Sequence, residues 1–256
     1  MPDLVTITPL DEGAIWRVTF GGGKGNILDR PTMEALGGVF RKARTSAPLK
    51  AIVLEGEGRH FSFGASVQEH LPGPVAVMLS DIRQLVTDLL ECQVTVLAAV
   101  RGQCLGGGLE VVSLCHRIFA APDAKLGQPE IALGVFAPIA SIALPARVGR
   151  AHGEDLCLTG RIVSAPEALV MGLVDEVTDG DPAEAAMAWA RTHLTSRSAS
   201  SLRLAVKAVR ADLTARMRTE LPALEHLYLD ELMATHDAVE GLQAFVEKRP
   251  PVWKHQ

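Results

Sequence analysis

The run from Val100 to Ala137 reads V-R-G-Q-C-L-G-G-G-L-E-V-V-S-L-C-H-R-I-F-A-A-P-D-A-K-L-G-Q-P-E-I-A-L-G-V-F-A. An apolar, strand-like segment (residues 94–100) leads into it, and Gly106, Gly107 and Gly108 precede an apolar helical pattern. Strand, glycine turn and helix in that order predict backbone N–H groups facing outward at a helix N-terminus, a local anion site. Glu110 falls in the first turn of the predicted helix, and Glu130 follows a short run (residues 125–128) and a proline. Backbone donors beside two carboxylates are the parts needed to polarise a carbonyl and move protons next to it.

Upstream of this run, residues 4–8 and 14–20 alternate apolar and polar around Asp11-Glu12-Gly13 and predict a hairpin. Gly21-Gly22-Gly23-Lys24-Gly25-Asn26 has the look of a phosphate loop but neither the Gly-Lys-Ser/Thr ending nor the dinucleotide spacing. It reads as a flexible loop in which Lys24 remains available to a ligand phosphate. Residues 32–44 predict a helix entered at Pro31, residues 51–54 a buried strand, and residues 59–70 a strand that breaks at Gly64. A helix fills residues 75–91. Downstream, helices are expected at 139–148 and 153–158, a capping box at Ser164 and Glu167, a strand at 172–177, and an amphipathic helix at 182–194. From Ser198 the pattern is helical throughout, with an interruption expected at Pro222. Strand–helix alternation followed by an all-helical tail indicates an α/β core (residues 1–197) with a helical appendage (residues 198–256).

The composition narrows the function classes. With 256 residues, 48% hydrophobic and 21% charged, the chain has ample core material for one large domain. A net charge of −5 argues against nucleic acid or an anionic membrane as partner. Cys92, Cys104, Cys115 and Cys157 show no C-x-x-C spacing, so a reducing, cytoplasmic setting is the simpler reading. The first ten residues, with Asp3 and two prolines, do not read as a signal peptide, and no apolar run suits a bilayer. The eight histidines show no metal-ligand spacing, and no G-x-S-x-G elbow occurs.

Taken locally, each part has an ordinary alternative. The glycines serve equally for close helix–sheet packing, Glu110 as a helix-dipole acid, Glu130 as a surface carboxylate at a turn, and Gly64-Ala65 as a bulge or strand end. Cys104 lacks any sign of a neighbouring base and reads as a packed thiol. The residues alone establish an α/β protein with an anion-stabilising backbone site and candidate carboxylates.

Four blocks together are more specific: Phe61-Ser62-Phe63-Gly64-Ala65; Val100-Arg101-Gly102 through Gly106-Gly107-Gly108-Leu109-Glu110; Leu126-Gly127-Gln128-Pro129-Glu130-Ile131 with Leu133-Gly134; and Leu158-Thr159-Gly160-Arg161 with Ala168 and Gly172-Leu173-Val174. Over nearly its whole length the chain resembles the enoyl-CoA hydratase/isomerase, or crotonase, family, to which its ending Phe245-Val246-Glu247-Lys248-Arg249 is also similar. The resemblance implies a spiral of ββα units with C-terminal helices that build a homotrimer or a dimer of trimers. It also implies a coenzyme A thioester as substrate, with no separate cofactor or metal. By position, the N–H groups of Ala65 and Gly107 match the family's oxyanion hole, and Glu110 and Glu130 match the glutamate pair of its hydratases. Phe63, Ser66, Gly106, Phe136 and Lys24 are the residues expected against the substrate.

Two departures bear on the substrate. Ser66 stands where the family commonly has Asp, and Gly134-Val135-Phe136-Ala137-Pro138 replaces a glycine-rich turn. Within the family the chain resembles hydratases of a cyclic conjugated dienoyl-CoA from the anaerobic breakdown of aromatic acids, which add water in a 1,4 sense. A generalist hydratase or double-bond isomerase of fatty-acid oxidation and a non-catalytic or RNA-binding member of the fold are the alternatives.

Overall fold

In the computed structural model, which describes residues 4–21, 23 and 25–256, the chain winds through repeated strand, short strand and helix units. The hairpin is β1 (Val5–Leu10) and β2 (Ile15–Phe20), with Val5 opposite Phe20 and Leu10 opposite Ile15. After it come α1 (Arg30–Thr45), β3 (Ala51–Gly56), α2 (Val75–Glu91) and β4 (Thr95–Val100). The next units are β5 (Gln103–Leu105) with α3 (Gly107–Ser113), and β6 (Arg117–Ala120) with β7 (Lys125–Gly127) and α4 (Pro138–Val148). There follow α5 (Arg150–Thr159), β8 (Ile162–Ser164), α6 (Ala165–Val170), β9 (Glu176–Val177) and α7 (Pro182–His193). The tail holds α8 (Ala199–Val209), α9 (Ala211–His226) and α10 (His236–Val246).

The larger sheet runs β1-β2-β3-β4-β6-β9, parallel except for the hairpin pair. Every residue of β3 and β4 is buried, as expected of parallel strands covered on both faces. Alternation sorts their side chains. Ile52, Leu54, Val96, Ala98 and Val100 join the core under α1 and α2. Ala51, Val53, Leu97 and Ala99 pack with Ala183, Ala186, Met187 and Ala190 of α7. A smaller sheet, β5-β7-β8, stands beside it, extended by an isolated bridge from Ser62 to Cys104. Each unit thus contributes one strand or bridge to each sheet and then a helix, which is the expected spiral of ββα units.

Caps fix the helix entries. Asp29 accepts from the Thr32 N–H at 3.0 Å ahead of α1, and Ser164 from the Glu167 N–H at 3.4 Å ahead of α6. The tail is tied back by Arg203, whose guanidinium donates to the carbonyls of Ala43, Arg44 and Ser46 at the C-terminal end of α1 and of Cys92 after α2. Arg210 donates to the Leu114 carbonyl at 2.7 Å. These cations add hydrogen bonds and positive charge at the C-terminal ends of helices, where the carbonyls are only partly satisfied.

Three sequence expectations need correction. Residues 59–70 form no strand: Ser62 and Ala65 make single bridges and Val67–His70 is a 3-10 turn, because Gly64 at φ +99° turns the backbone out of register. Of residues 172–177 only β9 is extended, since Gly172 at φ +76° ends α6 first. Pro222 does not interrupt the tail, because α9 continues through it, held by the burial of Met217, Leu221 and Glu225 on either side. The irregularity comes later, as a π turn at Leu227–Glu231.

Candidate active site

Two glycine turns bring two chain segments into contact at one end of the smaller sheet. Gly64 has φ +99° and Gly106 has φ +53°, conformations that L side chains resist. A Cβ on Gly64 would fall 2.9 Å from the Leu105 carbonyl oxygen and 3.3 Å from the Gly107 nitrogen, and one on Gly107 only 3.2 Å from the Ala65 nitrogen. The segments are joined by the Leu105 N–H, which donates to the Ser62 carbonyl at 3.0 Å, and the Gly64 turn is held by the Ser62 hydroxyl, which donates to the Asn26 carbonyl at 2.7 Å and accepts from the Gly64 N–H at 3.0 Å. Neither the Ala65 nor the Gly107 N–H is donated to a protein oxygen among the described residues. Two free donors therefore sit side by side.

Glu110 enters from the first turn of α3, 5% exposed, and its Oε1 accepts from the Ala140 N–H at 2.9 Å. Glu130 enters from the 3-10 turn Pro129–Leu133, and its Oε1 accepts from Gln128 Nε2 at 3.0 Å. Its Oε2 is buried with no hydrogen-bond partner among the described residues. Burial pushes Glu110 up to about 7, against the pull of the Ala140 and Ile139 N–H groups. Burial and then the charge of Glu110 push Glu130 up to about 8. The two acids titrate as a pair. Glu110 is the better seat for the charge, because backbone donors face it while Glu130 has an unpaired oxygen.

These groups border two neighbouring spaces that share lining residues. A small chamber of about 20 Å³ is lined by Ala65, Gly107, Glu110, Glu130, Phe136 and Tyr228, among others. A wide cavity of about 980 Å³ opens beside it, sharing Ala65, His70 and Glu130, and takes in Phe63, Ser66, Gly106 and Phe245. Phe136 lies on the chamber, half-buried and tilted against Tyr228, while Phe63 stands 44% exposed at the wide cavity. Lys24 lies outside the described residues. Among the described residues no cluster of His, Cys, Asp and Glu is arranged to hold a metal ion.

The sequence reading missed the rest of the chamber wall. Met78, Leu79 and Ile82 come from α2, Leu221 and Glu225 from α9, and Tyr228 from the π turn. Glu225 is paired with Arg83 at 2.9 Å. His70 also reaches both spaces, with Nδ1 2.8 Å from the Ser66 carbonyl oxygen, and burial lowers its pKa. The spacing of Leu221, Glu225 and Tyr228 matches any amphipathic helix, so only the tail's docking marks these residues as chamber wall.

Residues 11–256 match the family model described as enoyl-CoA hydratase/isomerase. The chain belongs to the enoyl-CoA hydratase/isomerase family. It is 48% identical over 245 residues to the cyclohexa-1,5-dienecarbonyl-CoA hydratase of Thauera aromatica, covering 96% of this chain and 95% of that one. A probable enoyl-CoA hydratase of Bacillus subtilis is 34% identical, covering 90% and 91%. The 2,3-dehydroadipyl-CoA hydratase of Escherichia coli is 31% identical, covering 90% of each. Among solved structures, the enoyl-CoA hydratase of Bacillus anthracis superposes with a TM-score of 0.76 at 28% identity over 99% of this chain and all of that one. The family carries the α/β spiral and the C-terminal helices seen here.

Proposed function

We propose that this protein is a hydro-lyase that adds water to cyclohexa-1,5-diene-1-carbonyl-CoA, giving 6-hydroxycyclohex-1-ene-1-carbonyl-CoA, in the anaerobic degradation of aromatic acids through benzoyl-CoA. The observation that carries the chemistry is the convergence of two buried carboxyls on a chamber beside two free backbone N–H groups. The substrate assignment is supported by 48% identity to the Thauera aromatica hydratase, against 34% and 31% for the other two hydratases compared.

The thioester lies in the wide cavity with its carbonyl oxygen between the N–H groups of Ala65 and Gly107. Ionised Glu110 takes a proton from water as the oxygen bonds to the ring carbon β to the thioester. The electron pair of that double bond moves onto the thioester oxygen, where the two N–H groups stabilise the developing charge. Losing one such donor costs about 3 kcal/mol. Neutral Glu130 then gives its proton to the far diene carbon, and the remaining double bond shifts into conjugation with the thioester. Water supplies the new hydroxyl, and the net gain is one H₂O. Phe63, Ser66, Gly106 and Phe136 surround the acyl-CoA, with Lys24 available to its phosphates. No additional cofactor enters, and the partner is the acyl-CoA alone rather than nucleic acid or a membrane. Among the described residues no helix is long and apolar enough to cross a membrane. Four free cysteines fit a reducing cytoplasm. Apolar side chains left open on the tail and around α6 fit assembly as a homotrimer or a dimer of trimers.

The test is purified protein with crotonyl-CoA and with the cyclic dienoyl-CoA, following the ultraviolet absorbance of the conjugated thioester. Turnover of the cyclic dienoyl-CoA with little of the linear thioester is the expected result. Preference for crotonyl-CoA would return the protein to the generalist hydratases.

A further inference from the structure

Tyr228 is 1% exposed, and its ring is tilted 59° against Phe136 with the centroids 5.3 Å apart. Packing accounts for the ring, and a phenylalanine would supply it equally. It does not account for the hydroxyl, which is buried without a hydrogen-bond partner among the described residues. Leaving such a group unpaired weakens the fold, because the lost hydrogen bonds to water are not replaced. The oxygen is already enclosed by its own chain, so a neighbouring subunit does not reach it, and its partner must come from whatever enters the chamber.

Two independent features point the same way. The residue rides on the π turn at Leu227–Glu231, a widening of the helix that is frequent at functional sites and that re-aims the side chains it carries. It also lines one chamber with both acids, and burial first, then Glu130 and Glu110, raise the phenol's pKa, so it stays a proton donor at neutral pH. The space these three side chains line, about 20 Å³, is the room of one water molecule.

We propose that the Tyr228 hydroxyl donates a hydrogen bond to the oxygen that is added to the substrate, as water before addition and as the ring hydroxyl after it. This makes Tyr228 a positioning residue for hydration and rests on the reading of the chamber as the water site. The phenol occupies one lone pair of the water and the Glu110 carboxylate receives one of its hydrogens, which leaves the second lone pair for the β carbon. Tyr228 keeps its own proton throughout, and no bond to it forms or breaks.

The test is Tyr228→Phe, which keeps the ring and removes only the hydroxyl. Three quantities are read: kcat and KM on the cyclic dienoyl-CoA, the Kd for the hydroxylated product, and the Kd for cyclohexane-1-carbonyl-CoA, which has no ring hydroxyl and cannot be hydrated. We expect kcat to fall about tenfold with KM unchanged, and product affinity to fall by a similar factor of about ten. Affinity for the saturated analogue and the melting temperature should hold. Wild-type turnover together with wild-type product affinity in the variant would overturn the proposal. So would equal weakening of both ligands with a lower melting temperature, which would make Tyr228 a packing residue. If the wild type hydrates no cyclic dienoyl-CoA, the proposed function fails, while the two affinities still decide the role of Tyr228.

Discussion

A Cβ placed on Gly106 would stand 2.6 Å from Oε1 of Glu130. The turn that presents the Gly107 N–H therefore also abuts the second acid, and the two share one tolerance. Gly106→Ala forces that carboxylate to move and strains a backbone at φ +53°. The expected result is a folded protein, destabilised by about 1–2 kcal/mol, whose turnover falls far more than its stability. Circular dichroism melts beside steady-state rates check this, and unchanged turnover would mean that Glu130 has room to spare.

Glu110→Gln and Glu130→Gln keep shape and most hydrogen bonding while removing proton transfer. Each is expected to lower kcat by roughly 10²–10⁴-fold, the range for a positioned acid or base. Acyl-CoA affinity, measured by calorimetry, should change far less. A variant with near-normal turnover would remove that residue from the mechanism.

The pH dependence follows from burial. One acid must be ionised and the other neutral, so kcat/KM should peak between about 7 and 8, falling on the acid side as the base is protonated and on the alkaline side as the acid is lost. Stability moves in one direction only. Both folded-state pKa values lie above the ordinary carboxylate value, so the folded protein holds protons that the unfolded chain has released. The stability this contributes is whole below about pH 4 and is lost as the pH rises through about 7 and 8. Denaturant titrations should show wild type losing stability relative to the double Gln variant between about pH 5 and 8; parallel curves would contradict the burial argument.

Phe136→Ala tests the acyl wall. Phe136 lines the chamber rather than the wide cavity, and its contact with Tyr228 makes it part of a two-ring surface. Efficiency on the cyclic dienoyl-CoA should drop by about 1–3 kcal/mol while linear enoyl-CoA turnover holds or rises. Equal losses on both substrates with a lowered melting temperature would assign Phe136 to the core alone.

Assembly is the fifth expectation. Val170 is 89% exposed and Val209 76%, with Leu158 and Leu204 also largely open, a distribution that invites burial against further copies. Light scattering at micromolar concentration should give three or six times the chain mass; a monomer would refute it.

Much of this was legible because it is local. The hairpin alternates, α1 and α2 carry helical apolar spacing, and the glycines before Glu110 announce a turn. What escaped is what only tertiary packing creates. Nothing near Glu130 in sequence indicates that its Oε2 lacks a partner, or that Gly106 touches it. β5 is three residues long, too short to carry a period, and the pairing of Ser62 with Cys104 spans 42 positions. Pro222 misled because proline's cost to an isolated helix is large, whereas α9 is held by the core on either side of it.

The position of Leu221, Glu225 and Tyr228 on the tail has a consequence for how such a catalyst can diverge. Both glutamates have been laid down by residue 130, yet one part of the wall around them, Leu221, Glu225 and Tyr228, arrives some ninety residues later. Proton affinity at the reacting centre is therefore inherited partly from a stretch that contributes neither the acids nor the two backbone donors. Changes confined to the C-terminal helices can retune the acidity of the pair while leaving the spiral and its glycine turns untouched.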